Sequence, residues 1–253
     1  MSGGGPAARF PPRLPSPGLA LPAGEIQLWS VRLDPAPEQV ERLGRPLAGD
    51  EWERARRFRF EVHRRRYVVG RGVLRLLLAA YLDLAPAEVR FVYGPRGKPF
   101  LDPAQAAGGL SFNLSNSDEL ALVGLVRGVE IGVDVELVKP MSDLEAIAER
   151  FFSASERDCL RGLRPEQKPT AFFNCWTRKE AYLKAVGEGL AAPLDSFDVT
   201  LAPGDPPRML TLRGDPAAAR RWTLHHLLPA DGYIGAVAME GPPLPLRTWS
   251  YAH

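Results

Sequence analysis

Gly132-Val133-Asp134-Val135-Glu136 and, forty residues later, Trp176-Thr177-Arg178-Lys179-Glu180-Ala181-Tyr182-Leu183-Lys184-Ala185 are the two stretches on which the reading of this chain turns. Around the first, Ile131, Val133, Val135 and Leu137 alternate with Gly132, Asp134 and Glu136. A strand with that pattern turns both carboxylates to one face and the apolar residues to the other. The second stretch reads as a helix, on which Glu180 and Lys184 are four apart and lie one turn from each other on a common face. Seen alone, each has an ordinary account. Two acids can sit exposed on a half-buried strand, and Lys179, Glu180 and Lys184 can form a solvated helix face whose charge pair is worth only about 0.3–0.5 kcal/mol. Those accounts leave Trp176 unexplained. With Phe172, Phe173 and Tyr182 on the same helix, it reads as a packing anchor that fixes where Glu180 and Lys184 point.

Three carboxylates from two elements suit a hard cation such as Mg²⁺, which keeps several waters and completes its shell with substrate phosphates. The expected chemistry is therefore at phosphate. The nearby lysine would neutralise a departing phosphate, while a carboxylate or a metal-bound water would take a proton from an attacking hydroxyl.

Further motifs stand in a fixed order with these two. Phe112-Asn113-Leu114-Ser115-Asn116-Ser117 precedes the strand, and Arg150-Phe151-Phe152-Ser153 with Glu156 follows it. Gly187-Glu188-Gly189-Leu190 follows the helix. In order and spacing, this set resembles the Sfp-type 4′-phosphopantetheinyl transferases over roughly residues 50 to 200, and the tail Pro193-Leu194-Asp195-Ser196-Phe197 is similar too. The resemblance implies an α+β fold of two similar lobes, a pseudo-dimer with the active site in the cleft between them. It implies transfer of the phosphopantetheine arm of coenzyme A to a serine of an apo acyl or peptidyl carrier protein, with Mg²⁺ and release of 3′,5′-ADP. It places Asp134, Glu136 and Glu180 at the metal positions, with Glu180 also a candidate to activate the carrier serine, and Lys184 beside the leaving group. Coenzyme A contacts carried over are Arg54, Arg66, Arg96, Gly97, Lys98, Asn113, Ser115, Asn116, Asp134 and Lys184. The departure is Asn116, where the commonest family pattern has a histidine that helps hold a phosphate. Asparagine donates a hydrogen bond but carries no charge, so a working enzyme with altered coenzyme A affinity or pH dependence is expected, with reduced activity as the open alternative.

A chain of 253 residues can bury one large core or two small ones, and a net charge of +2 gives no global case for nucleic acid. Cys159 and Cys175 have no ligand-spaced partner, so neither a disulfide framework nor a zinc site is expected. No signal peptide and no membrane-spanning run is read. The expectation is a cytoplasmic protein, monomeric because one chain carries both lobes.

Residues 1–24 are rich in proline and glycine and read as a flexible arm; lobes are expected at 25–126 and 127–253. Strands are expected at Gln27–Leu33, Val89–Tyr93, Leu110–Leu114, Leu120–Val126, Phe197–Leu201, Arg208–Leu212, Trp222–Leu227 and Tyr233–Met239. Helices are expected from Asp50, from Val62 to Leu84, and from Thr170 to Val186. One helix plus several strands, twice, fits duplicated lobes.

Nine arginines between Arg54 and Arg75 leave three readings open: a solvated helix, a nucleic-acid patch, or a phosphate site suited to guanidinium forks. Nucleic acid is disfavoured because interleaved exposed aromatics are not evident. Leu144, Ile147, Phe151 and Phe152, flanked by Lys139 and Arg150, read either as a docking face for an acidic carrier helix or as core. The four histidines form no triad, and Ser115 and Ser117 lack the context of a nucleophile. Two rival functions stay open: a module that binds carrier or coenzyme A with reduced activity, and a Mg²⁺-dependent nucleotide phosphohydrolase.

Overall fold

Period-two alternation along strands and apolar helical spacing generate the elements of the computed structural model, which describes residues 10–16, 18–106, 108–187 and 193–253. The first half runs β1 (Pro12–Arg13), β2 (Ile26–Arg32), α1 (Pro37–Gly44), α2 (Gly49–Arg56), α3 (Glu61–Leu82), β3 (Phe91–Tyr93), β4 (Pro99–Leu101), β5 (Leu110–Ser117) and β6 (Leu120–Arg127). The second runs β7 (Ile131–Leu137), α4 (Leu144–Phe151), α5 (Ala154–Gly162), α6 (Lys168–Val186), β8 (Phe197–Val199), β9 (Met209–Leu212), α7 (Pro216–Ala219), β10 (Trp222–Leu227), β11 (Tyr233–Glu240) and β12 (Leu246–Tyr251).

Both halves follow one plan. A first strand (β2 or β7) leads to a long helix (α3 or α6), then to a small hairpin (β3–β4 or β8–β9), then to two more strands. In each sheet the last strand lies between the first and the middle one, antiparallel to both, giving β2-β6-β5 and β7-β11-β10. That repeated order is the duplication which no residue-level repeat reveals. The two sheets meet over a shared apolar layer that includes Ile26, Leu28, Leu122, Val133, Val135 and Val237, all buried. At the meeting line β5 runs beside β7, and side chains rather than backbone bridge the two strands.

Several expectations are corrected. The arm does not extend to residue 24: Leu19 and Leu21 are buried in the first core, Leu19 N–H donates to Ala80 O at 3.0 Å, and β1 pairs in parallel with β12. Apolar residues spaced among prolines pack without regular structure, and composition alone hides them. Strand β12 has no counterpart in the expectations. It pairs in parallel with β2, so the last strand of the expected 127–253 lobe completes the first lobe's sheet. Helix α2 begins at Gly49, where Glu51 rather than Glu53 reaches back to the Ala48 N–H. The Val89–Tyr93 strand starts only at Phe91, after a tight helical turn at Pro86–Glu88.

Of the proposed docking face, Leu144 and Phe152 are core, and Ile147 and Phe151 pack half-buried against the same cluster. Arg150 lies over the Phe151 ring at 5.0 Å. The core alternative therefore holds for Leu144 and Phe152, while Ile147 and Phe151 keep part of their surface open. Arg71 and Arg75 are also buried, because Glu51 accepts from both, at 2.8 and 2.6 Å, and Phe91 lies against both guanidinium groups. Lys179 is fully buried rather than solvated. It pairs with Glu156 at 2.8 Å and donates to Leu194 O at 2.6 Å, so the pair carries further hydrogen bonds that a buried ion pair requires. Trp176 does anchor α6, stacked on Phe172 and edge-on to Phe151. Gly187 closes the helix in the left-handed region, at φ 80°; Glu188, Gly189 and Leu190 lie outside the described residues. Cys159 is exposed and Cys175 buried, and neither is in a disulfide. No described helix is long and apolar enough to cross a membrane.

Candidate active site

The period of two along β5 sorts the Asn-Leu-Ser-Asn-Ser run onto two faces. Asn113, Ser115 and Ser117 face β7. Asn113 Oδ1 accepts from the Val133 N–H at 2.9 Å, Ser115 Oγ donates to Asp134 Oδ1 at 2.9 Å, and Ser117 Oγ donates to Glu136 Oε2 at 2.6 Å. Leu114 and Asn116 face the other way, into a hollow of the first lobe, and Asn116 also lines a second hollow that Leu137 and Lys139 reach from the second lobe. Asn113 is thus a strut between strands, and Ser115 a positioner of Asp134.

Helix α6 brings in the remaining groups. Lys184 Nζ donates to Asp134 Oδ1 at 2.6 Å and to Ser115 Oγ at 2.7 Å, closing a three-member ring of lysine, serine and carboxylate. Asp134 is buried, and its Oδ2 has no partner; neither has Glu180 Oε1. Burial pushes Asp134 above the ordinary carboxylate range, opposed by the charge and hydrogen bond of Lys184. Burial and then the charge of Asp134 push Glu136 up, with Ser117 opposing. Glu180 is pushed up to about 7, first by burial and then by the charge of Asp134, against Lys184. A carboxylate at that value is poised to take or give a proton near neutral pH.

Among the described residues no three His, Cys, Asp or Glu side chains form a ready metal-ligand cluster. Within the expected set of Asp134, Glu136 and Glu180, Lys184 engages Asp134 Oδ1 and Ser117 engages Glu136 Oε2. The donor chemistry nonetheless fits a hard cation. Asp134 and Glu136 both act on Glu180 electrostatically, and two carboxylate oxygens are orphaned where a cation would satisfy them.

Beside these acids, two adjoining hollows of about 460 and 230 Å³ share Phe58, Arg66, Tyr67 and Asn116. The larger also holds Ser117, which links it to Glu136. The smaller holds Arg54 and Gly97. Arg66 is fixed there by Asp34 at 2.7 Å and by Asp118. One of the expected contacts, Lys98, is engaged elsewhere. Gly97 and Pro99 line the hollow, whereas Lys98 Nζ donates to Glu130 at 2.7 Å and to Ala185 O at 3.2 Å. Arg96 is exposed at the hairpin tip.

His63 and Lys139 line the larger hollow and were not among the expected site residues. His63 was legible: it lies three residues before Arg66 on α3, and so on the same helical face. Lys139 lies just past the end of β7, with no local signal to mark it.

An antiparallel repeat of strand, long helix and two strands, with carboxylates and a lysine at the seam and cationic side chains in the adjoining cleft, suits chemistry at a phosphate group. Residues 130–238 match the family described as the 4′-phosphopantetheinyl transferase superfamily, and residues 31–125 match 4′-phosphopantetheinyl transferase, N-terminal. The 4′-phosphopantetheinyl transferase HetI of Nostoc sp. (strain PCC 7120) is 43% identical over 235 residues, covering 93% of this chain and 96% of its own. Sfp of Bacillus subtilis (strain 168), also a 4′-phosphopantetheinyl transferase, is 32% identical over 178 residues, covering 70% of this chain and 77% of its own. The chain belongs to the 4′-phosphopantetheinyl transferase superfamily. The Thermotoga maritima holo-[acyl-carrier-protein] synthase AcpS is similar over 46% of this chain and 66% of its own, at 21% identity and a TM-score of 0.34, too slight a likeness to argue from.

Proposed function

We propose that this protein moves the 4′-phosphopantetheine arm of coenzyme A onto a serine of an apo acyl or peptidyl carrier protein, as a cytoplasmic monomer using Mg²⁺. The observation that carries the reading is the Lys184–Asp134–Ser115 ring beside half-buried Glu180, at the edge of a cleft that holds Arg66, Asn116 and Lys139. Coenzyme A supplies the anionic groups such a cleft suits: a diphosphate and a 3′-phosphate. Asp134, Glu136 and Glu180 would hold Mg²⁺, which supplies charge neutralisation at the diphosphate when bound.

The serine Oγ forms a bond to the β-phosphorus as the bond from that phosphorus to the oxygen of 3′,5′-ADP breaks. Glu180 takes the serine proton, and Lys184 balances the charge that develops on the departing ADP. Asp134 and Ser115 keep the ammonium aimed there. Positioning and charge stabilisation supply most of the rate.

Intact-mass spectrometry tests the reading. A panel of apo carriers incubated with the protein, coenzyme A and Mg²⁺ gains the mass of phosphopantetheine, and EDTA abolishes the gain. Release of phosphopantetheine without a carrier would establish the phosphohydrolase instead, and no gain on any carrier would leave a binding module.

Asn116→His gives a second expected outcome. Restoring a charge-assisted hydrogen bond of roughly 1–2 kcal/mol lowers the KM for coenzyme A about tenfold. The gain is larger at pH 6 than at pH 8, since imidazolium forms below its ordinary pKa of about 6.5. An unchanged KM at both values would mean that position 116 does not touch the coenzyme.

A further inference from the structure

From Arg54 to Arg66 the chain carries seven arginines and one glutamate. Two of the arginines are balanced: Arg64 pairs with Glu61 on its own helix, and Arg66 with Asp34 and Asp118. Arg54, Arg56, Arg57, Arg59 and Arg65 form no ion pair among the described residues. Between them, at the corner joining α2 to α3, Phe58, Phe60 and Val62 are 39, 57 and 42% exposed. A like-charged cluster repels itself, and exposed apolar side chains within it are unfavourable in water. Apolar patches rimmed by polar groups mark interaction sites, and protein interfaces are enriched in Phe and Arg. Phe58 and His63 of the same corner line the hollow shared with Ser117 and Lys139, so the patch forms its rim on the first lobe.

We infer that the α2–α3 corner is a docking surface for the carrier protein, gripping an acidic helix of the carrier through Arg56, Arg57 and Arg59 and an apolar residue beside it through Phe60 and Val62. The inference rests on the transferase reading and names where its protein substrate sits. Charge complementarity selects an acidic partner, and position selects one that must reach the cleft. The exposed aromatics reopen nucleic acid, which the sequence had disfavoured for want of them. The rings are not open stacking platforms, however. Arg59 lies over Phe60 at 5.5 Å, His63 meets its edge at 5.9 Å, and Phe58 leans on Tyr67 at 5.5 Å. Single-stranded nucleic acid needs free ring faces for its bases.

The test uses the full chain, a panel of fluorescently labelled apo acyl and peptidyl carriers, and two variants, R57E/R59E and F60S. Carrier Kd is read by anisotropy, with the KM values for carrier and coenzyme A, and thermal melts confirm that both variants fold. On the carriers the wild type modifies, R57E/R59E raises carrier Kd and KM roughly tenfold, weakens their salt dependence, and leaves the coenzyme A KM within about twofold. F60S raises carrier Kd several-fold without changing the salt slope. Replacing acids of the carrier helix by lysine restores binding to R57E/R59E. Unchanged carrier Kd and KM would overturn the docking inference while transfer by the wild type still stood. A parallel rise in the coenzyme A KM would overturn it in favour of a nucleotide subsite. Tighter binding of a 20-nucleotide single strand than of any carrier, lost in R57E/R59E with carrier KM unchanged, would assign the patch to nucleic acid. If the wild type modifies no carrier, the transferase reading fails and the docking inference falls with it.

Discussion

Glu180→Gln lowers the rate of carrier modification by about 10²–10⁴-fold, the range a positioned general base supplies, and raises the melting temperature of the metal-free protein at pH 8. Both effects come from one side chain. Glutamine keeps the shape and hydrogen-bonding reach of Glu180 but cannot accept the serine proton. It also removes a half-buried charge that faces Asp134 and Glu136. Single-turnover intact-mass kinetics read the first effect and a thermal melt the second. Activity within tenfold of wild type would place the base elsewhere in the cleft.

The pH dependence follows from the direction of the shift. Glu180 is raised from 4.5 to about 7, so between those values the folded state holds a proton that the unfolded chain has released. Stability therefore falls as pH rises through that window, by roughly 1–2 kcal/mol after allowing for solvent screening of a partly exposed carboxylate. Asp134 and Glu136, raised as well, add to the slope in the same sense. In Glu180→Gln the slope shrinks without vanishing. Mg²⁺ raises the melting temperature more at pH 8 than at pH 5, because at pH 5 a bound proton must first be displaced. An equal rise at both values would show that these carboxylates do not hold the metal.

The parts of this site visible in the sequence are those set by local periodicity. Alternation over 131–137 puts Asp134 and Glu136 on one face and four-residue spacing pairs Glu180 with Lys184 on α6; that the strand and the helix share a site was implied by the family resemblance, and the structure joins Lys184 to Asp134 at 2.6 Å. Alternation also splits Ser115 from Asn116, a consequence available from the sequence once the strand is extended to Ser117. What was not legible depends on partners distant in the chain. Lys179 sits one residue before Glu180 and looks equally solvated, yet Glu156 on α5 and the Leu194 carbonyl draw it inside. Lys98 matches a family motif, but Glu130 and the end of α6 decide where its ammonium goes. Strand β12 has weak alternation and takes its identity from β2, more than two hundred residues earlier.

Gly132→Ala is expected to be the most damaging single substitution in the second lobe, although it adds one methyl group and lies on no reacting atom. At Gly132 a Cβ would stand 1.9 Å from the Ala181 carbonyl oxygen and 2.3 Å from the Ala185 nitrogen. Both are backbone atoms of α6, so no side chain can swing aside; the helix itself must move off the strand. Ala181 and Ala185 are buried and one turn apart, and with Gly132 they form the small-residue contact that lets helix and strand backbones touch. Glu180 and Lys184 each precede one of those alanines, so the same contact sets their height above Asp134. Overpacking of this kind costs about 3 kcal/mol or more, and displacing catalytic groups by about 1 Å costs on the order of 10²-fold in rate. The variant therefore melts well below wild type, and whatever folds transfers phosphopantetheine poorly even under saturating coenzyme A. A melting temperature within about 2 °C of wild type, with full activity, would show that α6 does not rest on β7 at backbone contact and that something other than this contact aims Glu180 and Lys184.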